Sequence, residues 1–213
     1  MALHVSAILF DIDGTLVDST PVVERSWRTW AREYGVDTEE VLRVCHGRRT
    51  EDTVAEFVMP QHRAAAVARV QALELMDFEG VAALPGAHEL LDALPSRRWA
   101  AVTSGERSLM TARLAAAHLP VPDALVCAED VSVGKPSPEG YLKAAAALGF
   151  EATQCVVVED APAGISAGRA AGARVIAVTT THDADEVADA DVIVTDLSCV
   201  RLEFTDDKVV IVI

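Results

Sequence analysis

Positive charge is scarce in this 213-residue chain: 18 Lys and Arg stand against 33 Asp and Glu, a formal net charge of −15. A field of that sign repels phosphate backbones and anionic lipid headgroups, which argues against nucleic acid and membrane surfaces as partners. A phosphorylated ligand would then need a locally positive site, made by a metal ion or a few chosen cations. Long hydrophobic runs are also missing. The apolar stretch from Met1 to Phe10 has no basic residue before it, and Asp11 and Asp13 end it far short of a membrane span. The four cysteines, Cys45, Cys127, Cys155 and Cys199, form no CxxC pair and no short metal-ligand spacing, so they read as isolated thiols of a reducing, cytoplasmic compartment. Repeats and low-complexity linkers are absent too.

Apolar residues make up 51% of the chain, enough for a sizeable core, and the length fits one ordinary domain plus a small second one. Short apolar runs recur and end in polar residues. Val5 to Phe10 runs into Asp-Ile-Asp-Gly, Trp99 to Thr103 into Ser-Gly, Cys155 to Val158 into Glu-Asp, and Arg174 to Val178 into a threonine run. Asp191 to Thr195 reads as a further strand. Helical patterning fills about 86–94, 106–118, 137–148 and 161–171, so strand and helix alternate as in a doubly wound parallel α/β sheet. In such sheets ligands bind outside the carboxyl ends of the strands, where residues 11–14, 103–105 and 159–160 would meet. From Val17 to Val81 the patterning is helical throughout, which predicts an inserted helical cap over 17–81 on a core of 1–16 and 82–213. Arg201 to Ile213, with Asp206-Asp207 inside it, predicts a hairpin on the sheet edge, and Asp183 to Asp191 a solvated loop and helix.

Asp11 and Asp13 stand two apart at a strand end, and Gly14 lets the chain turn after them. Two carboxylates on one site resist ionising together unless a cation intervenes, so one can serve as a nucleophile while the other holds a proton. Alone, the pair suits a capped turn better. A calcium loop is excluded, because counting from Asp11 puts Gly14 at position four rather than six and no Glu follows at position twelve. Glu159-Asp160 precedes Ala-Pro at a helix start, Thr103-Ser104-Gly105 offers a hydroxyl and backbone N–H groups, and Lys135 is stiffened by prolines in Gly134-Lys-Pro-Ser-Pro138. Each alone also has an ordinary reading, as a helix cap or a surface lysine.

In order along the chain, Asp-x-Asp-Gly-Thr, a strand-terminal Thr, a Lys-Pro and a Glu-Asp resemble the motifs of the haloacid dehalogenase superfamily of phosphotransferases. The resemblance spans nearly the whole chain and includes the helical insert after the first motif. It implies a Rossmann-like α/β core, with Asp11 as the nucleophile that becomes an aspartyl phosphate and Asp13 as general acid and then base. It further implies Mg²⁺ held by Asp11, the Asp13 backbone carbonyl and Asp160, with Glu159 directly or through water, and Thr103 and Lys135 on the transferring phosphoryl group, beside Ser104 and Gly105.

Within the superfamily, Cys45-His-Gly-Arg-Arg-Thr-Glu-Asp52 and the segments around Thr103 and Glu159 look most like 2-deoxyglucose-6-phosphate and glycerol-3-phosphate phosphatases. The implied substrate is a small sugar or polyol phosphate, handled by a monomer or weak homodimer. His46, Arg48 and Arg49 would reach from the cap to that substrate; alternatively the arginines only pair with Glu51 and Asp52. Beta-phosphoglucomutases are the nearest alternative, but Val23 stands where they carry a hinge histidine and their cap lysine has no counterpart. No lysine precedes Lys135, which excludes a Schiff-base phosphonate hydrolase. Gly164-Ile-Ser166-Ala-Gly168 mimics a serine-hydrolase elbow, but Ser166 lies well past the strand and no acid separates it from His182. A non-catalytic sugar-phosphate-binding protein remains the reading of another class.

Overall fold

A computed structural model describes residues 1–205 and 208–213. In chain order the strands and helices are β1 (Ala2–Val5), β2 (Ala7–Phe10), β3 (Val17–Asp18), α1 (Thr20–Tyr34), α2 (Thr38–Cys45), α3 (Thr50–Phe57), α4 (Arg63–Leu75), β4 (Ala82–Ala83), α5 (Ala87–Ala93), β5 (Trp99–Val102), α6 (Arg107–Ala116), β6 (Leu125–Val126), α7 (Glu139–Ala147), β7 (Cys155–Glu159), α8 (Pro162–Ala170), β8 (Arg174–Val178), β9 (Val192–Val194), β10 (Arg201–Phe204) and β11 (Val209–Val212).

Six strands form one parallel sheet in the order β6-β5-β2-β7-β8-β9. Its strands are apolar on both sides because both faces are covered. Ile8, Phe10, Val156 and Val158 join a core with α5 and α6, while Ala7, Leu9, Cys155 and Val157 join another with α7 and α8. The strand order reverses around β2: the chain runs to β5 and β6 on one side and to β7, β8 and β9 on the other. That reversal opens a crevice at the carboxyl ends of β2, β5 and β7.

Helices α1 to α4 enclose an apolar cluster of their own, built on Trp27, Trp30, Val41, Val54 and Val70. The indole rings of Trp27 and Trp30 pack edge to face with centroids 5.2 Å apart. The chain enters and leaves this helical insert through β3 and β4, which pair antiparallel with Val17 opposite Ala83 and Asp18 opposite Ala82. Among the described residues no helix is long and apolar enough to cross a membrane.

Three expectations are corrected. The first apolar run is not one strand: it breaks at Ser6, whose N–H donates to the Gln154 carbonyl at 2.7 Å. The terminal hairpin does not sit on the edge of the parallel sheet, because β11 pairs with β1 on one side and β10 on the other, making a separate three-stranded antiparallel sheet. The Asp206-Asp207 part of that hairpin lies outside the described residues. Residues 184–189 form hydrogen-bonded turns rather than a helix, with Val187 buried.

Candidate active site

Strand β2 ends at Phe10 and delivers Asp11, buried, to the mouth of the crevice. The chain then bends at Ile12 and turns at Gly14, whose φ of +86° is the left-handed conformation that glycine tolerates best. A Cβ at Gly14 would also overlap the Asp160 carboxylate, so the glycine lets the loop approach the end of β7.

Lys135, carried by the loop before α7, donates to Asp11 Oδ1, to Glu159 Oε1 at 2.6 Å and to the Val102 carbonyl at 3.3 Å. Burial alone would pull the ammonium down, but Asp11 and Glu159 outweigh it and keep Lys135 charged. Burial pushes the Asp11 carboxyl well above the usual range; Lys135 opposes the shift, and Glu159 and Asp160 add to it. Glu159 has both oxygens engaged. Oε1 also accepts from Tyr141 Oη at 2.7 Å, and Oε2 accepts from the Asp160 and Ala161 N–H groups at 3.1 and 3.3 Å. Gly164 is required here because a Cβ would overlap that carboxylate.

Asp160 accepts from Thr15 Oγ1 at 3.3 Å and from Thr181 Oγ1. Its carboxyl is pushed up to about 7, first by burial and then by Glu159. Asp11, Glu159 and Asp160 offer carboxylate oxygens within 4.8 Å of one another. Three buried carboxylates share one ammonium, that of Lys135, and such a surplus of hard oxygen donors fits a divalent cation. Thr103 follows β5, and its Oγ1 accepts from the Gly105 N–H at 3.1 Å, leaving its own hydroxyl hydrogen to donate elsewhere.

Asp11 and Asp13 line the same pocket, but different cations hold them. Asp13 Oδ2 pairs with Arg113 at 2.8 Å, and Arg113 pairs in turn with Glu74 of α4 at 3.0 Å. Asp13 Oδ1 is buried without a hydrogen-bond partner among the described residues.

The helical insert roofs the pocket. His46 and Arg48 line it, as do Trp27, Val23, Gln71 and Glu74. Burial pulls His46 below the usual histidine range. Arg48 pairs with Glu56 at 2.7 Å rather than with Glu51 or Asp52. Arg49 pairs with Asp52 at 3.0 Å and lines a smaller neighbouring pocket with Ser104 and Lys135. Ser104 Oγ donates to the Gly47 carbonyl at 3.0 Å, and Gln71 Nε2 to Glu106 Oε1 at 2.6 Å, so both tie the insert to the core.

A profile of the haloacid dehalogenase-like hydrolases matches residues 5–172. The chain belongs to that family. This haloacid dehalogenase-like hydrolase is 43% identical over 196 residues to hexitol phosphatase A of Escherichia coli (strain K12), covering 90% of this chain and 91% of the relative. It is 36% identical over 216 residues to glycerol-1-phosphate phosphohydrolase 2 of Saccharomyces cerevisiae, covering 95% and 86%. The beta-phosphoglucomutase of Clostridium difficile superposes with a TM-score of 0.80 at 19% identity over 91% of this chain and 92% of that one, a likeness of fold alone.

Several residues of this hydrolase's site escaped the sequence reading. Thr181 had a signal, because the threonine run follows β8 just as Thr103 follows β5. Tyr141 lies hidden in an alanine-rich helix, and Arg113 and Glu74 had none: each is one charge among many on a helix, buried only because α4 docks on α6.

Proposed function

We propose that this hydrolase is a Mg²⁺-dependent phosphomonoesterase of small sugar or polyol phosphates, with residues 17–81 acting as its cap. The observation that carries the reading is the meeting of Asp11, Thr103 and Asp160, at the ends of strands that lie apart in sequence, with Lys135 from the loop before α7, beside a roofed pocket. The names of the relatives, a hexitol phosphatase and a glycerol-1-phosphate phosphohydrolase, support the substrate class.

Asp11 attacks phosphorus and forms an aspartyl phosphate as the bond from phosphorus to the sugar oxygen breaks. Asp13 gives its proton to that leaving oxygen. Asp13 then takes a proton from water as the water oxygen attacks phosphorus, and the bond to Asp11 breaks to free inorganic phosphate. Thr103 and Lys135 take phosphoryl oxygens, which places a cation and a hydroxyl where negative charge gathers. Mg²⁺ held by Asp11, the Asp13 carbonyl and Asp160 would supply further charge neutralisation. Glu159 supports that set from behind through Lys135 and the Asp160 N–H. The cap excludes stray water and selects the leaving group through His46 and Arg48.

Phosphate release is measured over sugar, polyol and nucleotide monophosphates with Mg²⁺ or EDTA, with Asp11→Asn in parallel. Metal-dependent release that vanishes in Asp11→Asn is expected. Conversion of beta-glucose 1-phosphate to glucose 6-phosphate would make the protein a mutase, and binding without turnover would make it a sugar-phosphate receptor.

A further inference from the structure

Arg113 belongs to none of the sequence motifs, yet it is only 3% exposed and holds two carboxylates from different parts of the fold. Nη1 reaches Asp13 Oδ2 in the loop after β2, and Nη2 reaches Glu74 Oε1 on α4, the last cap helix. Arg113 itself stands in the last turn of α6, between the buried Met110 and Leu114, so its stem is fixed to the core. Burial pulls the guanidinium down, but Asp13 and Glu74 outweigh it, and Arg113 stays charged. Burial pushes Glu74 up, and Arg113 opposes that shift. Arg113 and Glu74 are buried and Asp13 is partly exposed; apolar side chains of similar size often replace buried ion pairs at no loss of stability, so the two buried charges are poorly explained as packing.

We propose that Arg113 is a positioning residue for Asp13, and that the cap completes the arrangement by lending Glu74. The inference rests on the reading of Asp13 as general acid and base. A guanidinium only donates, so the Asp13 oxygen that accepts from it is not the one that carries a proton. The Arg113 contact therefore reserves Oδ2 as the anchored oxygen and leaves Oδ1, unpartnered among the described residues, for proton transfer. Arg113 Nε has no partner there either, so the two carboxylates alone set the tilt of the guanidinium. When the cap lifts, Glu74 goes with it and Arg113 keeps one partner. Asp13 is then held in one orientation only while the cap encloses the substrate, so that enclosure and proton donation occur together.

The test compares leaving groups. We would measure kcat/KM for the alkyl phosphate ranked first in the panel and for p-nitrophenyl phosphate, whose nitrophenolate departs without a proton, in Asp13→Asn, Arg113→Lys and Glu74→Gln, with thermal unfolding of each. Asp13→Asn is expected to lower the alkyl phosphate by about 10² or more and p-nitrophenyl phosphate far less. Arg113→Lys should repeat that pattern, with about a tenfold greater loss on the alkyl phosphate, and Glu74→Gln should repeat it more weakly. If Arg113→Lys and Glu74→Gln lower both substrates equally, or raise KM alone, Arg113 is a structural or substrate-binding residue and the proposal fails. If Asp13→Asn itself shows no dependence on the leaving group, Asp13 is not the acid, and the inference falls with that reading. Should Arg113→Lys not fold, Glu74→Gln, which keeps a hydrogen bond to Arg113, decides alone.

Discussion

The two halves of the pocket hold their charges in opposite ways. On the core side Asp11, Lys135, Glu159 and Asp160 are buried, and each is locked by bonds to the others or to the backbone. On the cap side Arg48 and Arg49 have side chains 32% and 20% exposed, and each pairs within the insert, with Glu56 and Asp52. A half-exposed ion pair contributes about 0–1 kcal/mol, so Arg48 can exchange Glu56 for a substrate group at little cost. Separating a buried pair costs several times more, because it strands a charge out of water. On the proposed function, the Asp11–Lys135–Glu159–Asp160 cluster performs one reaction without rearranging and the cap accepts different leaving groups, while the Arg113–Glu74 pair bridges the two and parts when the cap lifts.

Substitutions can break this division. Asp11→Asn is expected to lower turnover at least ~10⁴-fold on every substrate. Thermal unfolding should be unchanged or shifted upward, since burial already disfavours a charge there. A cap variant with an equal loss on every substrate would erase the distinction. Next in size, EDTA should reduce phosphate release to background and Mg²⁺ should restore it. Mg²⁺ should also raise the Tm of the wild type by more than that of Asp160→Asn. Gly14→Ala forces a left-handed residue against the Asp160 carboxylate and should cost about 1–3 kcal/mol in urea unfolding, together with activity.

On the cap side, Arg48→Ala should reorder the substrate panel, shifting kcat/KM by up to about tenfold mainly through KM, with stability nearly unchanged. The smallest effect is the pH dependence of His46. Its folded pKa lies below the unfolded value, so the unfolded chain binds the proton first. The cap should therefore lose stability as pH falls below about 6.5. His46→Gln should flatten that slope in melts taken between pH 5 and 8, and an unchanged slope would remove His46 as its source.

Much of the core was legible because a parallel sheet imposes a simple code. Buried strands must be apolar on both faces, and the first polar residues after them must lie at the crevice, which is how residues 11, 103 and 159–160 were brought together. The code failed where the chain leaves extended geometry. The bend at Ile12 takes the chain out of extended geometry, and Asp13, though it lines the same pocket as Asp11, pairs with Arg113 rather than with Lys135. Ser6 splits one apolar run between two sheets, a division that depends on β11 arriving from the other end of the chain. Arg113 and Glu74 were invisible for a similar reason: their burial is a property of the contact between two helices, and neither helix records it alone.

For the cap motion proposed above, the antiparallel pair β3 and β4 restricts the path. Two separate tethers would let it tumble and slide, and each residue fixed on closure would then cost about 1–2 kcal/mol of backbone freedom. Bonded side by side, the two crossings form a ribbon that twists or flexes as a unit but resists being splayed. The insert then has close to a single swing, like a page on its spine. Most of the disorder that closure must remove is already gone before a substrate arrives, and binding energy from the leaving group is left for the choice between one substrate and another.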